Sequence, residues 1–577
     1  MDKRTIIVII LLGALVIFWF PIMQGLGLME KRQAPPPTTS QPTEQVEPIH
    51  DTPEPELDQQ LSETMATETE TTPQIRQASI DTATQVPEDT IFIETNVFQV
   101  VMSNHGGAPI SIKLKDYQYA WDSSRIEMLP DNKMASPEIK FNGGQINANK
   151  FVYTPSRPDR KRLITSGSVD VTYTYNDNSG TSVVKRYRFY ADRYDFDLIV
   201  EVKNPENLNL NRKYSLEWNN KLGPTELYLQ DDYNSMWAMA MEGNERVKLD
   251  DYKDNMFSRM DDGVTSWIAS RSKYFSVILL PRSRSAAGAK ASGIKFEHFA
   301  DNQKVNARKL AIGLVMEPPR DSAMVDSFTV YVGPMDYELL KEVNSDVVDV
   351  IDIGTTPFVG WIIKIFAIPI IWLLPRMYAV IPNYGFVIII FSLIIKLITW
   401  PLTKKTVRSM AAMKDLQPKM EELKQKHKNN PQALNREMMK LYKEMGINPL
   451  SGCLPYLPQM PLFFALFAVF RSTILLRQAP FILWWNDLSR GALSFTDPYI
   501  ILVILMAGLM FVQQKMTMTD PKNKALIYVM PLMMGFFFYK ASAGLVLYWT
   551  CFSLFSFLEQ VLFKKSRSAE KAVPAVK

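Results

Sequence analysis

Ser392 and Lys396 stand four residues apart in "FSLIIKLITWP", an otherwise apolar stretch. On a helix that spacing places hydroxyl and amine on one face. Two chemistries suit the pair. A serine activated by a neutral lysine is a nucleophile–base dyad, which would make an intramembrane protease. Any polar stripe on a helix contains such spacings by chance, however, and no oxyanion donor set is visible. A charged lysine is instead a fixed cation that anionic groups could visit. A Lys at the centre of a membrane helix costs about 2.5–3.5 kcal/mol on insertion scales, and an acid partner would offset this. Among the five apolar segments that follow Tyr384 the only acid is Glu559, near the far end of the last one. The expectation is therefore an unpaired cation, which argues against a proton relay. Ser392 and Thr399 extend a polar stripe, to which Gln459, Gln513 and Gln514 could add.

The elements that must hold these residues are read from segregated composition. The 577 residues are 47% hydrophobic with a net charge of +4, but the apolar runs concentrate after Thr355. "MDKRTIIVIILLGALVIFWFPIMQGLGL" is basic and then apolar for bilayer length. It lacks an A-x-A-like cleavage site, so 1–30 reads as an uncleaved anchor rather than a signal peptide. Residues 31–88 are rich in Pro, Thr, Glu and Gln and cannot bury enough surface to order themselves, which makes them a tether. From 89 to 346, runs such as "SVDVTYTYND" and "YDFDLIVEVKN" alternate with period two between turn residues. They predict a large all-β sandwich in water, serving as scaffold or docking module.

Residues 384–563 read as a five-helix core: Tyr384–Leu402, Cys453–Leu475, Tyr499–Gln514, Ala525–Ala541 and Gly544–Phe563. Eleven Lys or Arg against five acids between Thr403 and Leu450 place that segment in the cytoplasm by the positive-inside rule. An N-terminus inside, with one crossing before the β domain, then requires 356–382 to lie along the outer interface rather than cross. The fold class is thus a six-span α-helical membrane bundle carrying a large extracytoplasmic β domain. Both termini are cytoplasmic, including the basic tail 564–577. Tyr384 at the outer boundary puts Lys396 roughly 18 Å down its helix, in the cytoplasmic leaflet. There it either snorkels to headgroups or faces a water-filled recess. The segment 403–450 carries two apolar stripes, with Met413 and Met420 on one and Met438 and Met439 on the other, broken at "KNNPQ". They predict a helical hairpin, either merely solvated or offering a Met-rich surface to nascent chains, ribosome or headgroups.

Other chemistries find no support. Cys453 and Cys551 sit in apolar segments and suggest neither a disulfide framework nor a zinc site. Four scattered histidines make a His-based metal site improbable, and neither GxxxxGK[ST] nor a strand-linked GxGxxG occurs. No cofactor and no nucleic-acid sequence recognition are expected.

Together "GINPLSGCLPYLPQMPLFFALF", "LRQAPFILWWNDLS", "DPYIILVILMAG", "MPLMMGFFF" and "AGLVLYW" resemble the YidC family of membrane protein insertases, in its Gram-negative bacterial form. The resemblance implies a multi-pass protein of the bacterial inner membrane with a periplasmic β-supersandwich. It also implies a hydrophilic inner-leaflet groove holding one basic residue, usually Arg, five positions before "P-L-T". Here that residue is Lys396, which keeps the charge but loses the bidentate fork. Ser392 falls at the family's groove hydroxyl, and Tyr548 and Trp549 at its aromatic positions. The implied partners are nascent membrane proteins, the bilayer, the Sec translocon and, weakly through basic loops and tail, the ribosome. A solute transporter would show paired intramembrane charges or inverted repeats, and neither is seen in the sequence.

Overall fold

The computed structural model describes residues 86–572, apart from 131–133, 157–159, 179, 209–212, 251–254, 301–302, 318–322, 354–359, 429, 447–455 and 518–523. The anchor over 1–30, nearly all of the 31–88 tether, and Cys453 lie outside the described residues. The chain divides into two compact units between Ile351 and Asp352.

The first unit is a two-sheet sandwich. Its smaller sheet runs Arg125–Glu127, Ala108–Gln118, Phe98–Ser103, Thr90–Glu94 and Lys161–Leu163, antiparallel except for the last pairing. Its larger sheet has 14 strands, centred on Ala286–Ala300, Met256–Arg271, Phe275–Pro281, Ala323–Pro334, Asp195–Lys203 and Ser182–Tyr190. Period-two alternation becomes burial in the expected way. In Asp195–Lys203, Phe196, Leu198, Val200 and Val202 point into the core while Asp197, Ile199 and Glu201 are only half-covered. The neighbouring strand registers Tyr187 on Leu198 and Phe189 on Phe196, so the aromatic faces meet. Two short helices complete the unit, α1 (Leu229–Asn234) and α2 (Tyr337–Val343), the latter capped by the Asp336 carboxylate.

The second unit is helical. α3 (Gly360–Val380) buries Gly360, Ile363, Ala367, Ile370, Ile371 and Leu374 at helical spacing, leaving Trp361, Ile365, Ile368 and Trp372 exposed. α4 (Tyr384–Asp415) is continuous through Pro401. α5 (Gln417–Lys426) and α6 (Pro431–Glu444) form a hairpin whose second helix starts at an Asn430 cap with Pro431 in its first turn. Then follow α7 (Tyr456–Ser472), α8 (Ile500–Thr517), α9 (Lys524–Phe538) and α10 (Ala543–Ala572). Among the described residues, three helices are long and apolar enough to cross a membrane: Gly360–Val380, Tyr384–Pro401 and Ala543–Phe563. Gln459–Ser472, Ile500–Met516 and Ile527–Phe538 are apolar but shorter. The segment read as interfacial is thus among the three that could span by length and composition.

Gly385 shows how the loop between α7 and α8 is seated. A Cβ there would fall 1.9 Å from the Phe481 ring, so only glycine lets that ring pack against the start of α4. The Asn383 amide fixes the same loop by donating to the Phe481 carbonyl at 3.2 Å.

One strand residue breaks the inward apolar pattern. Lys185 faces the core between Val183 and Tyr187 and is fully buried. Its ammonium donates to the Gly106 carbonyl at 2.7 Å and to Asn149 Oδ1 at 2.6 Å, and lies 4.9 Å from the Tyr153 ring centre. Both acceptors are neutral, and burial pushes its pKa down to about 7. Between that value and the ordinary lysine range the unfolded chain binds a proton that the folded chain does not. Stability therefore rises with pH through this window, by at most about 1.4 kcal/mol per pH unit. Urea unfolding of the full-length protein, followed on the β unit between pH 7 and 9, should show that rise. Lys185→Met should flatten it.

Candidate functional site

The strongest polar constellation of the helical unit lies between α4 and α10. Lys396 is 6% exposed and Glu559 8%, both within apolar helices. Lys396 Nζ stands 2.7 Å from Glu559 Oε2 and donates to Ser556 Oγ at 2.9 Å. It also lies 5.1 Å from the centre of the Phe552 ring. Phe552, Ser556 and Glu559 follow one another at i, i+4 and i+7, so a single face of α10 cradles the ammonium. Ser556 Oγ in turn donates to the Phe552 carbonyl at 2.8 Å.

This overturns the expectation of an unpaired cation. The physical reason is register. Phe391 meets Tyr548, with ring centres 6.1 Å apart, and five residues further along α4 Lys396 meets Phe552 and Ser556. Contacts advance together along both chains, so the two helices run in the same direction. Lys396 is twelve residues beyond Tyr384 and Ser556 thirteen beyond Ala543, which sets them roughly 18 and 20 Å along their helices. Glu559 lies one turn deeper, within reach of a lysine stem bent along its own helix. Counting residues from both helix starts is the signal that would have found Ser556 and Glu559. Position "near the far end" of a span was the wrong measure.

Ser392 is fully buried, but its hydroxyl donates to its own helix at the Ile389 carbonyl, 2.7 Å away. It makes no hydrogen bond with Lys396, and the dyad of the protease reading is not formed. Thr399 also bonds backward, to the carbonyls of Ile395 at 2.9 Å and Lys396 at 3.2 Å. Gln459 and Gln513 are half-buried. Gln514 Oε1 is buried without a hydrogen-bond donor among the described residues. Tyr548 is buried against Phe391 and Phe552. Trp549 packs edge-on to Phe463 at 5.1 Å and stacks on Phe538. Both aromatics therefore knit α10 to its neighbours.

In the hairpin, Met420 and Met438 are half-buried, and Tyr442 reaches Met420 with its hydroxyl 3.6 Å from the sulfur. Met439 is 48% exposed and turned away from that seam, because one residue is about 100° of helix rotation and Met438 already occupies the inner face. The side chain of Met413 lies outside the described residues.

Two family profiles match the chain in succession, the first running past the β unit into α3. Residues 90–373 match the YidC periplasmic domain, and residues 376–571 match the 60Kd inner membrane protein family. The membrane protein insertase YidC of Chlorobium phaeovibrioides is 34% identical over 511 residues, covering 84% of each chain. That of Chlorobaculum tepidum is 32% identical over 603 residues, covering 100% of this chain and 96% of the relative. A solved structure of an active YidC insertase with its first transmembrane domain resolved is 19% identical. It covers 83% of this chain and 93% of that one, with a TM-score of 0.35. Two profiles spanning both units, and identity above 30% along most of the length, mean that the chain belongs to the YidC family of membrane protein insertases.

Proposed function

We propose that the chain inserts nascent membrane proteins by letting a client's short polar flank enter the seam between α4 and α10 while its apolar helix slides along the protein into lipid. The observation that carries this reading is the buried Lys396–Glu559 pair with Ser556, a polar island inside apolar helices. Ionisable groups in such helices are expensive and mark functional paths. Ser392, Thr399, Gln459, Gln513, Tyr548 and Trp549 line or shape the same groove. The energetics need no nucleotide. About 20 apolar client residues gain roughly 6–12 kcal/mol in the bilayer, against about 2.5–3.5 kcal/mol for one charge dragged through bare hydrocarbon. A polar seam part-way down shortens that charged path.

In this reading the protein sits in the bacterial inner membrane with six spans, both termini in the cytoplasm and the β unit in the periplasm. The eleven basic residues between Thr403 and Leu450 support it, since a crossing by α3 would strand them on the outer side. α3 then lies in the outer interface, its exposed Trp361 and Trp372 at headgroup depth. Beyond nascent clients and phospholipid, the partners are the Sec translocon and, through the Met-bearing hairpin and basic tail, the ribosome. The protease alternative lacks its chemistry, because an ammonium that donates to Ser556 and faces a carboxylate holds no lone pair for a proton. The transporter alternative gains the paired charge that the sequence did not reveal, but no inverted repeat accompanies it in the sequence.

The test is reconstitution of the full chain in lipid vesicles with a single-span client. A short flank with one charge should insert; a long, highly charged flank should not. Ser392→Ala and Lys396→Arg should each retain most insertion, whereas a protease would lose its activity in both. Lys396→Met leaves Glu559 buried alone and should destabilise the helical unit by about 3–5 kcal/mol. Adding Glu559→Met should recover most of that loss in thermal unfolding, yet leave insertion of polar-flanked clients impaired. Full insertion by the stable double variant would remove the seam from the mechanism.

A further inference from the structure

The smaller sheet of the β unit carries a cleft on the face turned away from the core. Alternation sends Phe98, Ile112, Leu114 and Ile126 inward and leaves Gln99, Lys113, Arg125 and Glu127 outside. Lys113 registers on Glu127, but the next rung pairs Gln118 with Arg125, so five steps of one strand match two of the other. The extra chain bows out there, beside a cleft of about 520 Å³ whose lining includes Gln99, Lys113, Tyr119, Ser124, Arg125 and Glu127. Tyr119 stacks on Trp121 with ring centres 4.7 Å apart, and Trp121 is 47% exposed. The turn that presents this shelf is fixed. Asp122 Oδ1 accepts from the Ser124 amide at 2.9 Å and its hydroxyl at 2.8 Å, and Ala120 N donates to the Thr225 carbonyl at 3.1 Å.

The charges lining the cleft are not equally engaged. Glu127 accepts from the amides of Ile112 and Leu129, at 2.8 and 2.9 Å, and from the Ser111 hydroxyl. Lys113 and Arg125 are exposed and have no hydrogen bond or ion pair among the described residues. An aromatic shelf beside two unengaged cations fits an acidic chain rich in proline. Proline rings pack on Tyr and Trp, and carboxylates meet the cations. The chain itself supplies such a segment. Residues 31–85 hold ten Asp or Glu against three Lys or Arg, and "DTPEPELD" at 51–58 sets two prolines among four of those acids.

We propose that 51–58 docks on this cleft of its own chain, with Pro53 and Pro55 on the Tyr119–Trp121 shelf and Glu54 and Glu56 toward Lys113 and Arg125. Reach permits it. The described chain begins at Val86, whose carbonyl accepts from His105 Nε2 at 3.0 Å, close to the rung of Thr90 on Ser103. The row Glu94, Gln99, Lys113, Glu127 lies four residues along and three strands across from Thr90, roughly 20 Å away at strand spacings. Coil statistics give the 27 residues between 58 and Val86 a span of roughly 30 Å. A connection of matched length raises the local concentration to the millimolar range, so a weak contact suffices. Docking leaves only 31–50 of the tether free.

The experiment uses the full chain in lipid vesicles, with a photo-crosslinking residue in place of Gln99 and products mapped by mass spectrometry. An equal mixture of chains grown in light and heavy nitrogen separates contacts within a chain from contacts between chains. Irradiation should join residue 99 to 51–58 in same-label products only. Lys113→Glu with Arg125→Glu should lower that yield about fivefold or more, since two ion pairs become like-charge contacts. Adding Glu54→Lys and Glu56→Lys should restore it, which a cleft that had merely misfolded would not allow. Trp121→Ala should lower the yield with the cations in place. Salt at about 1 M, where the screening length is about 3 Å, should lower it in the unaltered chain. Mixed-label products would give the cleft to a second copy and overturn the proposal. Products with clients, with lipid or with other parts of the chain would do the same, as would an equal yield before and after charge reversal.

Discussion

A charge cannot be left alone among apolar helices, and that constraint organises the helical unit. Lys396 pairs with Glu559 and donates to Ser556, residues 160 or more positions away in sequence. The pairing requires α4 and α10 to run side by side, in one direction and in one register. A slip of one residue would rotate Glu559 by about 100° and remove it from the ammonium. Buried ion pairs are weak contributors to net stability, because desolvation offsets most of the attraction, but breaking one is expensive. The pair therefore acts on the choice of packing. Phe391 against Tyr548 above it, and Trp549 against Phe463 and Phe538 beside it, are apolar contacts that several registers could satisfy. The charges select one of them.

The β unit buries a lysine by another route. Lys185 hydrogen-bonds neutral acceptors, the Gly106 carbonyl and Asn149 Oδ1, and feels the Glu138 carboxylate only through space. Its proton is correspondingly loosely held. The difference follows from surroundings. A sandwich core can bring turn carbonyls to a side chain, whereas helix carbonyls already accept one bond within the helix and otherwise serve short side chains of their own helix, as Ser556 does. In a helical bundle the partner must come from a side chain on another helix. Lys396 accordingly has a carboxylate and a hydroxyl, both from one face of α10.

Local patterns were legible in the sequence, and pairings across it were not. Period-two alternation in "YDFDLIVEVKN" predicted which side chains enter the sandwich, because pleat geometry is local. The break at "KNNPQ" predicted the hairpin, because an Asn cap and a following proline act within one turn. Ser392 and Lys396 were found from their contrast with an apolar run. Glu559 was visible too, but discounted, since distance from a span's end says nothing about depth relative to a neighbouring helix. Met439 was assigned to the seam with Met438 although adjacent residues cannot share one narrow helical face. Lys185 was invisible as a core residue, because its turn acceptors come from elsewhere in the chain.

A seam that completes its own charge suits the proposed mechanism, in which clients must leave. A bare buried cation would bind an acidic flank tightly, because in a low-dielectric seam the attraction is strong and the unpaired state is costly. The client would then be released only against that full interaction. With Glu559 in place, the seam is already close to neutral, and under the proposed mechanism an entering flank would gain only what it adds beyond the internal pair. The same pairing lowers the cost of the empty state, so the seam need not be held open or reset by hydrolysis of a nucleotide. Under the proposed mechanism, weak, exchangeable polar contact in the seam, set against a larger apolar gain in the lipid, would give the transfer a direction without an external energy source.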